Sequence, residues 1–180
     1  MSTETLAKRV GTSAAESPLF WKLQRLFRQL PSAGAETLEA WLVDVANSRG
    51  ALVVRRQKLP PGFAVPQSSL SDEELVIGLV LPRLADEPQI LRLAAQLVSR
   101  GALDTRRLLT SARREGAVRI LRDLAKQALR IAPDHSAWQG IAEATSDVPV
   151  LQEHVIHWTR LAEPVMPKAG VHRGEWRLVA

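Results

Sequence analysis

Proline and glycine cut this chain into short pieces, and within most of those pieces the apolar residues recur every three to four positions. That period marks an amphipathic helix, so the chain is restricted to folds that pack short helices along their apolar stripes. Leu19, Phe20, Leu23, Leu26, Phe27 and Leu30 form the first stripe. Ser17-Pro18 supplies a capping residue and a proline at the first helical position, and Pro31 stops the run. A second helix, about 35–48, carries Leu38, Trp41, Leu42 and Val45 and precedes Gly50, which sits where a C-terminal glycine belongs. Ser71 and Glu74 have capping-box spacing and open a helix reaching about Leu84, apolar on most sides and so expected to be central. Asp86 and Pro88 start the next, over 89–100. Helices over 104–115 and 117–132 follow, separated by Gly116, then a short one over 136–144 and a last over 149–162.

The expected fold is therefore all-α, with about eight amphipathic helices stacked as helical hairpins, either solenoid-like or as an orthogonal bundle. The spacing predicts a flexible tail over 1–16, a single helical domain over 17–163 and a C-terminal arm over 164–180. Within the domain, 49–70 reads as an exposed basic connector, because Pro60, Pro61 and Pro66 forbid a helix. Two β-favouring runs, 51–54 and 175–180, can pair as a minor two-stranded element without changing the fold class.

With 180 residues, 46% hydrophobic and 24% charged, the chain is long and apolar enough to bury one core. It has no cysteine, which excludes disulfides, thiolate metal sites and a cysteine nucleophile, and a reducing cytoplasm is the expected compartment. The N-terminus has no apolar run of signal-peptide length, and the longest apolar stretch, Leu75 to Leu81, is interrupted by Gly78 and too short to span a bilayer, so no membrane association is expected.

Charge is the most unevenly distributed property. The net value is +5, carried by 19 arginines and 5 lysines. Ten basic residues against three acids lie between Arg92 and Arg130, whereas 134–163 holds five acids against Arg160 alone. On the helix from Asp104, Arg106, Arg107, Arg113 and Arg114 fall within about 120° of arc, opposite Leu108, Leu109 and Ala112. On the next helix Arg119, Arg122, Lys126 and Arg130 share a side. These eight, with Arg55, Arg56 and Lys58 of the connector, are the candidate polyanion-binding residues, since guanidinium forks bind phosphate bidentately and track a nucleic-acid backbone. The competing reading is a solvated face, or one that pairs with the chain's own acidic 134–163 segment. Trp21, Trp41 and Trp138 have the spacing of buried residues and there is no tyrosine, which argues against base stacking.

Chemistry-bearing motifs are lacking. His154 and His157 stand three apart without a third ligand and read as surface or packing residues. Glu73 and Glu74 read as a capping box and first-turn charges. With no G-x-S-x-G, glycine-rich phosphate loop or H-E-x-x-H, the chain is expected to be non-enzymatic, with no cofactor and no metal.

Ile90–Asp104 set on Ile120–Asp134 shows a faint internal repeat at an offset of 30 residues, with identities at Ile90/Ile120, Leu91/Leu121, Arg92/Arg122 and Ala95/Ala125 among others. The segment AKQALRIAPDHSAW, 125–138, resembles the end of a tetratricopeptide unit running into the next, with Ala128 and Pro133 five apart as in that family. It departs from the family at Ala125, where an aromatic is favoured. The resemblance implies stacked helical hairpins and protein binding. The expected function is a helical adaptor or subunit that binds another protein in a larger assembly. The alternative is a nucleic-acid-binding subunit that uses the arginine face on DNA or RNA backbone.

Overall fold

The computed structural model describes residues 17–51, 62–82, 84, 87–100, 103–164 and 176–179. They form α1 (Pro18–Gln29), α2 (Leu38–Ser48), α3 (Asp72–Leu79), α4 (Pro88–Ser99), α5 (Thr105–Arg114), α6 (Val118–Leu129) and α7 (Ser136–Ala144), then a 3-10 turn (Trp158–Arg160) and strands β1 (Ala162–Pro164) and β2 (Trp176–Leu178). The fold is all-α with a minor strand pair. Among the described residues no helix is long and apolar enough to cross a membrane.

Local chemistry sets most helix starts. Ser17 Oγ accepts from Phe20 N at 3.0 Å, and Thr37 Oγ1 accepts from Ala40 N at 3.2 Å. Ser71 and Glu74 close a reciprocal capping box, at 3.2 Å from Glu74 N to Ser71 Oγ and 3.0 Å from Ser71 N to Glu74 Oε2. Asp104 Oδ1 accepts from Arg106 N and Arg107 N at 3.0 and 3.1 Å. α2 and α5 end at Gly50 and Gly116, both with left-handed φ, and the residue after each donates back across the turn, Ala51 N to Ala46 O and Ala117 N to Ala112 O.

The helices stack in two layers. α1 packs on α3, α3 on α5 and α5 on α7, while α2 packs on α4 and α4 on α6. Neighbours in sequence also pack across the layers, as α1 with α2, α3 with α4 and α6 with α7. α3 touches α1, α2, α4 and α5, and Leu75 to Leu79 are buried without a break. Gly78 permits the close approach of α1: a Cβ there would stand 3.0 Å from Leu23 Cδ1. α4 and α6, which carry the two copies of the faint repeat, begin and end 30 residues apart. Their matched Ile90/Ile120, Leu91/Leu121 and Ala95/Ala125 are all buried.

Four expectations change. α3 stops at Leu79, short of the expected end near Leu84. The helix expected over 149–162 is absent: that stretch is irregular up to the 3-10 turn, and seven α-helices are present among the described residues. Two of its backbone groups, Val150 O and Val155 N, bond to side chains of α6, as described below. β2 falls within the expected 175–180 run, but its antiparallel partner is 162–164, with Ala162 opposite Leu178; of the run at 51–54, residues 52–54 lie outside the described residues. Trp21 is 60% exposed, whereas Trp41 and Trp138 are fully buried. On α1 the core takes Leu19, Phe20, Leu23 and Leu26, and position 21 falls on the opposite side of the helix.

Candidate functional site: the arginine helices and the cleft beside them

α5 exposes Arg106, Arg107, Arg113 and Arg114 and buries Leu108, Leu109 and Ala112, as its period requires. The four guanidinium groups nevertheless divide between two flanks. On the side toward α7, Arg113 Nη2 donates to Ala144 O at 2.9 Å and lies 3.3 Å from Asp147 Oδ1. The hydrogen bonds from Arg113, and after them the charges of Arg113 and Arg122, hold the Asp147 carboxyl below the usual aspartate range. On the side toward α3, Arg107 and Arg114 face a cleft. Arg114 Nε donates to Glu115 Oε1 at 2.9 Å, and Arg107 Nε is 3.5 Å from Asp104 Oδ2. The Arg106 guanidinium makes no hydrogen bond or ion pair among the described residues, and Arg106 lines the depressions on both flanks.

The basic side of α6 is partly covered by the chain itself. After α7 the backbone runs along α6 in the direction of that helix, so that Val150 meets Arg119, Val155 meets Asp123 and Trp158 meets Arg130. Arg119 Nη2 donates to Val150 O at 3.4 Å, and the Arg130 guanidinium stands 5.7 Å from the centre of the Trp158 ring. Midway, the buried carboxylate of Asp123 accepts from Val155 N at 2.8 Å and lies 2.6 Å from His154 Nδ1. Val148, Ile156 and Leu161 bury their side chains along this strap. Contact with the acidic segment is thus made through a backbone carbonyl, an indole ring and Asp147, while Glu163 pairs instead with Arg177 on β2, at 2.6 Å. Lys126 and Arg130 remain exposed.

The cleft between the start of α3 and the length of α5 has a volume of about 640 Å³ and is lined by Ser68, Glu73, Asp104, Arg106, Arg107 and Arg114 among others. Its walls carry both signs of charge. Glu73 Oε1 accepts from Asp104 N at 2.9 Å. Burial raises the Glu73 pKa, but the backbone bonds from Asp104 and from Glu73 itself, the Ser71 hydroxyl and the Arg107 charge together outweigh it and leave the carboxyl below the usual glutamate range. Glu74 is held by Lys22 Nζ at 2.7 Å to each oxygen. Next to Arg114 in the chain, Glu115, with a fully buried side chain, accepts from Ser17 Oγ at 2.7 Å and Leu19 N at 3.3 Å, fastening the start of α1 to the end of α5. Arg55, Arg56 and Lys58 lie outside the described residues.

A second basic surface, not singled out by period or spacing, lies on α1. Trp21, Arg25 and Arg28 are exposed on one side of that helix, and no acid occurs from Ser17 to Ala35. The absence of acids was readable; the exposure of Trp21 was not. His154 and His157 do not share a helix face, because no helix forms there, and among the described residues no group of three or more potential ligands gathers as for a metal ion.

No protein-family model, curated relative or solved structure matches the chain.

Proposed function

We propose that the chain is a non-enzymatic helical adaptor or subunit that binds another protein within a larger assembly. The observation that carries this reading is the interruption of the arginine surface by acids. Arg107 and Arg114 share their cleft with Glu73, Glu74 and Asp104, while Arg113 is engaged by Asp147. A nucleic-acid backbone presents phosphates at close, regular intervals and favours an unbroken basic track. A protein surface offers both signs and neutral donors and acceptors, and suits mixed walls. The two-layer stack and the tetratricopeptide resemblance over 125–138 support the same reading. Purification of the tagged full chain from its native host tests it: a stoichiometric protein partner that survives moderate salt is the expected result, and its absence would count against the reading.

The nucleic-acid reading keeps one specific support, the acid-free outer face of α1 with Arg25 and Arg28. A salt-titrated shift assay on duplex and single-stranded DNA and RNA decides it, since phosphate-driven binding weakens steeply as salt rises.

A further inference from the structure

We infer that the α3/α5 cleft receives a short acidic segment of the protein partner, whose carboxylates are held by Arg106, Arg107 and Arg114. The inference rests on the adaptor reading and names the chemistry of the partner at this site. It follows from counting which hydrogen-bonding capacity in the cleft is already used. The acids are engaged: Glu73 accepts from Asp104 N, Glu74 from Lys22 and Ser71 N, and Asp104 caps α5 through Arg106 N and Arg107 N. The guanidinium groups have capacity to spare. Each carries five N–H donors. Arg106 uses none of them among the described residues, Arg107 is 80% exposed with a single contact at 3.5 Å, and Arg114 uses Nε alone. Some acceptor capacity remains on Glu73 and Asp104, but the larger share of the free capacity of the cleft is donor capacity in planar forks, which match a carboxylate oxygen pair.

The shape and the fixed charges select the kind of molecule that brings those carboxylates. The cleft is wide, shallow and polar, unlike the enclosed apolar pockets that take small organic ligands. Glu73, Glu74 and Asp104 would repel a strand with a phosphate at every step. A peptide places its acidic side chains at intervals and offers backbone N–H groups to the carboxylates between them.

Fluorescence anisotropy of the full chain with a labelled alternating Glu-Gly decapeptide, its Gln-Gly counterpart and a labelled ten-nucleotide single strand tests this. The acidic peptide is expected to bind about tenfold or more tightly than the neutral one. R106A/R107A, which leaves the Glu115 cluster untouched, is expected to weaken it about tenfold, and the charge-matched R25A/R28A less than about threefold. Failure of the acidic peptide to bind, equal binding of the neutral peptide, equal losses in the two double variants, or tighter binding of the oligonucleotide through Arg106 and Arg107 would each overturn the inference. Purification from the host with wild type and R106A/R107A separates the two levels. Partners that remain on the variant overturn the role of the cleft and leave the adaptor reading standing. An absence of partners on wild type removes the adaptor reading, while the peptide titration still reads the cleft.

Discussion

Ser17 and Glu115, 98 residues apart in the chain, are joined by a 2.7 Å hydrogen bond in which the Ser17 hydroxyl donates to the buried Glu115 carboxylate. The same Ser17 oxygen accepts from Phe20 N, so it caps α1 and fastens that cap to the end of α5. The carboxylate also accepts from Leu19 N, placing negative charge at the N-terminus of α1, where the helix dipole favours it. One buried acid thus closes the first helix onto the third member of its layer.

Glu115→Ala removes the acceptor and leaves the Leu19 N–H and the Ser17 hydroxyl without it. A loss of about 2–3 kcal/mol is expected. Ser17→Ala, which loses the cap, is expected to cost about 1–2 kcal/mol. Urea unfolding of both single variants and the double variant should give a coupling of about 0.5 kcal/mol or more, whereas additive losses would mean that the bond contributes nothing of its own.

Asp123 holds the strap that follows α7. Asp123→Ala leaves the Val155 N–H unpaired and is expected to cost about 1–3 kcal/mol, whereas Asp123→Asn keeps an acceptor and should cost less. Hydrogen exchange over 148–158 should accelerate in Asp123→Ala before exchange in α3 changes. Uniform acceleration across the domain would show that the strap does not open by itself.

The depressed pKa of Glu73 has a definite sign for stability. A carboxylate whose folded pKa lies below its unfolded value stabilises the fold above the unfolded value, and that contribution is lost as pH falls through the folded one. Wild type should therefore lose stability faster than Glu73→Gln as pH falls below the ordinary glutamate value near 4.5. Denaturant midpoints at pH 6, 4 and 3 check this; parallel curves would refute it.

The tryptophans should separate cleanly. Trp41 is fully buried with Nε1 donating to Leu30 O at 2.8 Å, and Trp41→Ala is expected to cost about 3–5 kcal/mol. Trp21→Ala should change stability by no more than about 0.5 kcal/mol, with any effect appearing in partner binding. Thermal melts and a partner pull-down distinguish the two.

Legibility in the sequence followed the range of the interaction concerned. Ser17, Ser71 and Asp104 fix helix starts within three residues of themselves, and Gly50 and Gly116 fix helix ends through a conformation that side chains resist, so these boundaries could be read directly. The division of the α5 arginines between two flanks could not, because Arg113 finds Asp147 34 residues away and Glu73 reaches Asp104 across 31.

The sequence by itself determined an all-α fold, the capped starts of α1 and α3, and a helix with arginine on one side and leucine on the other. These depend on local bonds and on the helical period, which a chain carries wherever it is placed. Only the tertiary structure decided that 149–157 is a strap rather than a helix, that Trp21 faces outward, and which guanidinium groups keep donors to spare. In each case the deciding partner is distant in the chain: Asp123 claims the Val155 N–H, the core takes the other side of α1, and Asp147 and Glu115 engage Arg113 and Arg114 while Arg106 has no such partner among the described residues.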